Sequence, residues 1–70
     1  MKPDEIRAWA DEEILAEIED AREELMRVRF QQSTGELTDY TRLPQLRRDI
    51  ARMSTIINER KREAEMEGER

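Results

Sequence analysis

Apolar residues recur through Ile14, Ile18, Ala21, Leu25 and Val28 at steps of four, three, four and three, and through Leu43, Leu46, Ile50, Met53 and Ile57 at steps of three, four, three and four. That a/d rhythm predicts two helices, each packed lengthwise on another helix. Upstream, Pro3 is followed by Asp4 and Glu5, and proline near a helical start with acids in the first turn predicts one short helical turn ending near Arg7. The first long helix is expected to begin near Asp11, read as its N-cap, with Glu12 and Glu13 facing the positive end of the helix dipole. Gln31-Gln32-Ser33-Thr34-Gly35 closes it, because Gly35 is free to take the left-handed conformation that ends many helices. Glu36 to Tyr40 form the connection, and Thr41 is expected to cap the second helix with its hydroxyl. Pro44 then has to fall in the first turn, where amides need no intrahelical acceptor.

Two patterned helices of about 20 to 23 residues, roughly 30 to 35 Å long, fold most simply against each other. The expected fold is therefore all-α, a long antiparallel two-helix hairpin resembling a coiled coil, with a short N-terminal helical turn. A self-associating coiled coil is the alternative, and a continuous helix through Gly35 and Pro44 would incur the cost of both residues. The hairpin domain is expected to span residues 1–62, leaving residues 63–70 as an acidic tail without a seam, frayed or disordered. A chain of 70 residues is one small domain. At this size only about 60% of the unfolded surface is buried, so a partner is expected to complete it.

Cysteine and histidine are both missing from the sequence, which leaves no thiolate or imidazole ligand and no imidazole base. No metal, cofactor or catalysis is expected. The carboxylates Glu12, Glu13, Asp20, Glu23 and Glu24 belong to a long exposed helix with no pocket-forming loop beside them, the pattern of a solvated face. No apolar run approaches the length that spans a bilayer, and neither a membrane segment nor a signal peptide is expected.

Net charge is −5, yet its distribution is uneven. Residues 1–26 carry three basic and ten acidic groups, residues 27–62 nine and four, and residues 63–70 one and four. Phosphate binding responds to potential within about a Debye length, roughly 8 Å in physiological salt, so the central basic block can act despite acidic ends. Arg48 and Arg52 are four apart on the side of the second helix facing away from its seam. Such a stripe suits a polyanion, although a solvated charged face is its commoner meaning.

The run Leu46-Arg47-Arg48-Asp49-Ile50-Ala51-Arg52-Met53 also carries a family likeness. With Arg42-Leu43-Pro44-Gln45 before it, Thr55-Ile56-Ile57-Asn58-Glu59 after it, and Glu24-Leu25-Met26-Arg27-Val28-Arg29-Phe30-Gln31 and Thr34-Gly35-Glu36-Leu37 upstream, it resembles the bacterial large-subunit ribosomal protein family numbered twenty-nine. Met1-Lys2 and Glu5-Ile6-Arg7 extend the resemblance, which covers residues 1 to about 62. It implies a structural, non-enzymatic constituent of the large ribosomal subunit in the cytoplasm, bound to ribosomal RNA at the rim of the nascent-chain tunnel exit, beside a neighbouring tunnel-exit ribosomal protein. Members are usually net basic, and this chain departs from them through its acidic ends.

Within that resemblance Arg29, Arg42, Arg47, Arg48 and Arg52 are the first candidates for RNA phosphate donors, with Arg27, Arg60, Lys61 and Arg62 second. Gln31, Thr34 and Gly35 are candidates for close approach of the hairpin tip to RNA. Each of these cations is otherwise a solvated helix charge or an intramolecular partner. For the whole chain, the alternative is a coiled-coil module that binds only protein. Met26 and Phe30, four apart and off the first seam, are expected to pack on Leu37 and Tyr40, with RNA bases or a neighbouring protein as alternatives. Ile6 and Trp9 either pack the N-terminal turn onto the open end of the hairpin or enter a protein interface. The free chain is expected to be a monomer, because the two seams can satisfy each other.

Overall fold

The computed structural model describes residues 1–68 and is all helix and connection, a rod of 54 × 20 × 16 Å. Helix α1 spans Pro3–Arg7, α2 spans Asp11–Thr34 and α3 spans Arg42–Gly68. The two long helices form the expected hairpin, and α1 folds back against α3.

The start of α2 differs from the expectation. Asp11 is its first helical residue, and the N-cap is Ala10, extended at φ −69° and ψ 157° with no side-chain cap. A missing hydroxyl or carboxylate cap costs about 1 kcal/mol, which the three carboxylates Asp11, Glu12 and Glu13 in the first turn partly offset through the helix dipole. Asp11 is thereby free to act elsewhere, as described below.

The end of α2 follows from Gly35, left-handed at φ 80° and ψ 8°. Its N–H donates to the Gln32 carbonyl at 3.2 Å, while the amides of Glu36 and Leu37 converge on the Gln31 carbonyl at 2.8 and 3.1 Å. This Schellman arrangement satisfies carbonyls that the helix end would otherwise leave unpaired. At the start of α3, the Thr41 hydroxyl does not cap the helix. It donates instead to Asp39 Oδ1 at 2.6 Å, and the Thr41 amide donates to the same oxygen at 3.0 Å. Pro44 is the third residue of α3, inside the first turn where its missing N–H is harmless.

The core has two parts joined at half-buried Ala21. Val28, Leu43 and Leu46 fill the turn-proximal part, with Leu25 and Leu37 against them. Ile6, Ile14, Ile18, Met53 and Ile56 fill the part near the open end, with Trp9 and Ile57 against them. Ile6 and Trp9 thus pack the N-terminal turn onto the hairpin. The α3 seam departs from the predicted one: Ile56 is buried, while Ile50 and Ile57 are only half-buried. A straight helix at 3.6 residues per turn drifts from a 3.5 repeat, and α1 covers the side of α3 that the drift brings inward.

Helix α3 also continues past Arg62, where the hairpin was expected to give way to a frayed tail. Glu63, Ala64, Glu65, Met66 and Glu67 are good helix formers and carry the helix to Gly68 with every side chain exposed. Glu69 and Arg70, included in the expected tail, lie outside the described residues. No helix is long and apolar enough to cross a membrane among the described residues.

Candidate nucleic-acid interface

Helical spacing puts Arg48 and Arg52 one turn apart on the outward side of α3, and the fold turns that pair into a ridge between two grooves. On one side lies a polar hollow bordered by Met1, Arg42, Gln45 and Asp49. On the other lies a groove between α1 and α3, to which Pro3 and Arg7 contribute. Arg48 has no ion-pair or hydrogen-bond partner among the described residues. Arg52 donates from Nη1 to the Met1 carbonyl and keeps its remaining donors.

Arg7 is the functional candidate that the sequence pattern missed. It approaches Glu59 and Asp4 at 3.9 Å each, with its side chain more than half exposed. Ion pairs that long and wet hold little energy, and Arg7 stays available to an anion. Nothing in the local sequence marks it, since its approach to Arg48 and Arg52 depends on α1 folding back.

Two other arginines are engaged within the chain. Arg42 reaches across the hairpin to Glu24, with Nη2 at 2.6 Å and Nε at 2.8 Å from the same carboxylate oxygen. Arg60 joins three elements, pairing with Asp11 Oδ1 through Nη1 and donating from Nη2 to the Arg7 carbonyl at 3.1 Å. Asp11, not needed as a cap, is the anchor that holds Arg60. Arg27, Arg29, Arg47, Lys61 and Arg62 are exposed and unpaired among the described residues.

At the tip, the groups considered for close approach are mostly occupied by the helix stop. The Gln31 carbonyl receives the amides of Gly35, Glu36 and Leu37 and the Thr34 hydroxyl, the last at 3.2 Å, and the Gly35 amide is shared with the Gln32 carbonyl. Asp39, in the connection, has a displaced titration. The hydroxyl and amide of Thr41 hold it below the usual carboxylate range, and nearby Arg42 acts in the same direction. Met26 and Phe30 do not pack on Leu37 and Tyr40 as expected: they are 73% and 66% exposed, on the side of α2 away from α3. Leu37 instead joins the core, and Tyr40 is itself exposed. No group of acidic side chains among the described residues is arranged to hold a metal ion.

Residues 4–60 match the family of ribosomal L29 proteins. The chain belongs to that family. It is 48% identical over 59 residues to the large ribosomal subunit protein uL29 of Streptomyces avermitilis, covering 84% of this chain and 80% of that one. Against the uL29 of Lactobacillus delbrueckii subsp. bulgaricus it is 46% identical over 63 residues, covering 90% and 97%. Against that of Thermosipho africanus it is 43% identical over 60 residues, covering 86% and 91%. The ribosomal L29 match takes in most of α1, all of α2, the connection and most of α3, so the arginine ridge lies inside it, while Met1 and Pro3, which border the adjoining grooves, fall just before it.

Proposed function

We propose that the protein is a structural, non-catalytic constituent of the large subunit of the cytoplasmic ribosome. It binds ribosomal RNA through the ridge on α3, near the nascent-chain tunnel exit and beside another exit-site protein. The observation that carries the reading is the Arg48 and Arg52 pair with Arg7 beside it, three outward guanidinium groups with donors to spare, in a chain whose family is ribosomal L29. Guanidinium groups match phosphate oxygens in a planar fork, and a convex helical rod reads folded RNA by shape and backbone more than by base sequence. Arg27, Arg29, Arg47, Lys61 and Arg62 extend the cationic surface. Arg42 and Arg60 serve mainly to hold the helices in register.

Filter binding of the protein to large-subunit ribosomal RNA fragments, over a series of salt concentrations, tests the reading. Affinity that falls steeply with salt supports it, since each phosphate contact releases counterions. The exposed Met26 and Phe30 favour a second reading, a helical module that binds only protein, and absence of RNA binding at low salt would support that one instead.

A further inference from the structure

The groove between α1 and α3 encloses about 270 Å³ and differs from the polar hollow across the ridge in having a mostly apolar lining. Pro3 and Ala51 contribute its walls, buried Ile56 lies at the bottom, and Arg7, Arg48 and Arg52 stand around it. We propose that this groove receives one unstacked nucleotide of the bound RNA, with the base against Pro3, Ala51 and Ile56 and the adjoining phosphates on Arg48 and Arg52. The proposal rests on the RNA-binding reading and names what one part of that surface takes.

The argument is a match of chemistry to shape. A nucleobase is an apolar plate with a polar edge, tethered to anions, and RNA loops and bulges present such bases splayed from the stack. A bare phosphate or an acidic peptide would gain nothing from the apolar floor. The groove also has a direction. Thr55 Oγ1 donates its proton to the Ala51 carbonyl at 2.8 Å, so toward a ligand this hydroxyl acts as an acceptor. Glu59, also bordering the groove, is a second acceptor and repels phosphate. An exocyclic amine on the base edge therefore faces Thr55 and Glu59, and the sugar-phosphate backbone faces Arg48 and Arg52. Adenine and cytosine carry such an amine and uracil does not. The groove depends on the docking of α1 through Ile6.

Methyl resonances of Ala51, Thr55 and Ile56 in the full chain provide the test, titrated in turn with hexaadenylate, ribose 5-phosphate and hexaglutamate. Hexaadenylate is expected to shift all three methyl groups, while the other two probes leave them in place. In parallel, Ala51→Leu fills the groove from an exposed helical position and is expected to weaken binding of a large-subunit ribosomal RNA fragment roughly tenfold, on the scale of one lost base contact. Ala16→Leu, at an exposed position of α2 outside the groove, should keep the wild-type affinity. Silent methyl groups with hexaadenylate, equal shifts with ribose 5-phosphate or hexaglutamate, or a folded Ala51→Leu protein with unchanged RNA affinity would each overturn the nucleotide site while leaving RNA binding by the ridge intact. If the wild-type protein binds no RNA at all, both readings fall. Should Ala51→Leu lose its helicity, the methyl shifts of the wild-type chain decide.

Discussion

At the residue scale, the connection between the long helices depends on Gly35 and Asp39, which act by different physics. A Cβ added at Gly35 would meet no atom within 4 Å, so the cost of a substitution there is purely conformational. Gly35→Ala is expected to lower stability by about 1 kcal/mol, the usual penalty for a left-handed alanine, and Gly35→Asn by less. Urea midpoints measure this, and equal midpoints for all three proteins would mean that the turn rearranges freely. Asp39 acts through its charge. Its folded pKa lies below the unfolded value, so its contribution is complete above the ordinary carboxylate pKa and disappears as pH falls through the folded value. The melting temperature of wild type should exceed that of Asp39→Asn at neutral pH, and the gap should close in acid. A gap independent of pH would assign the effect to shape and not to ionisation.

At the scale of elements, α1 is held far more firmly than a five-residue helix could hold itself. Ile6 is completely buried, and Trp9 packs on the same cluster. Ile6→Ala should cost roughly 2 to 4 kcal/mol and shift Trp9 emission to the red, as the indole meets water. Unchanged emission would mean that Trp9 docks without Ile6. The last turns of α3 are the converse case, helical but with every side chain from Glu63 to Gly68 exposed. Ending the chain after Arg62 should shift the melting temperature only slightly and strengthen RNA binding at low salt, an advantage that fades as salt screens the removed carboxylates. A large drop in melting temperature would show that these turns pack on something.

These elements also separate what the sequence discloses from what it conceals. Both long helices were legible because their seams repeat over several turns, and one misplaced residue hardly disturbs so long a pattern. The heptad selects Ile57 over Ile56 because an ideal repeat ignores the drift of a straight helix and the pull of α1. The caps are hidden in the sequence because neighbouring polar residues compete for one role: Asp11 holds Arg60, and Thr41 donates to Asp39. In the candidate site, the proximity of Arg48 and Arg52 is local and therefore visible. The tie from Arg42 to Glu24 closes over 18 positions and that from Arg60 to Asp11 over 49, beyond any local pattern.

For the whole molecule, the ridge on α3 should set the salt dependence of RNA binding. Arg48→Glu combined with Arg52→Glu is expected to weaken binding and flatten its slope against salt while leaving helicity nearly intact. Because Arg52 also holds the Met1 carbonyl, Arg48→Glu alone is the cleaner variant, and it should lose part of the slope with no change in melting. A wild-type slope in the double variant would mark both arginines as bystanders. The antiparallel hairpin adds a property that neither helix has alone. By doubling back, it brings the start of α2 and the last turns of α3 to one half of a 54 Å rod, so acidic stretches from opposite ends of the chain are gathered there and outnumber Arg60, Lys61 and Arg62 beside them, while Arg27, Arg29, Arg42, Arg47 and Arg48 occupy the turn-proximal half. The rod is consequently an electric dipole along its length. In the field of a polyanion it experiences a torque before any contact forms, and it arrives turn first with its open end trailing outward.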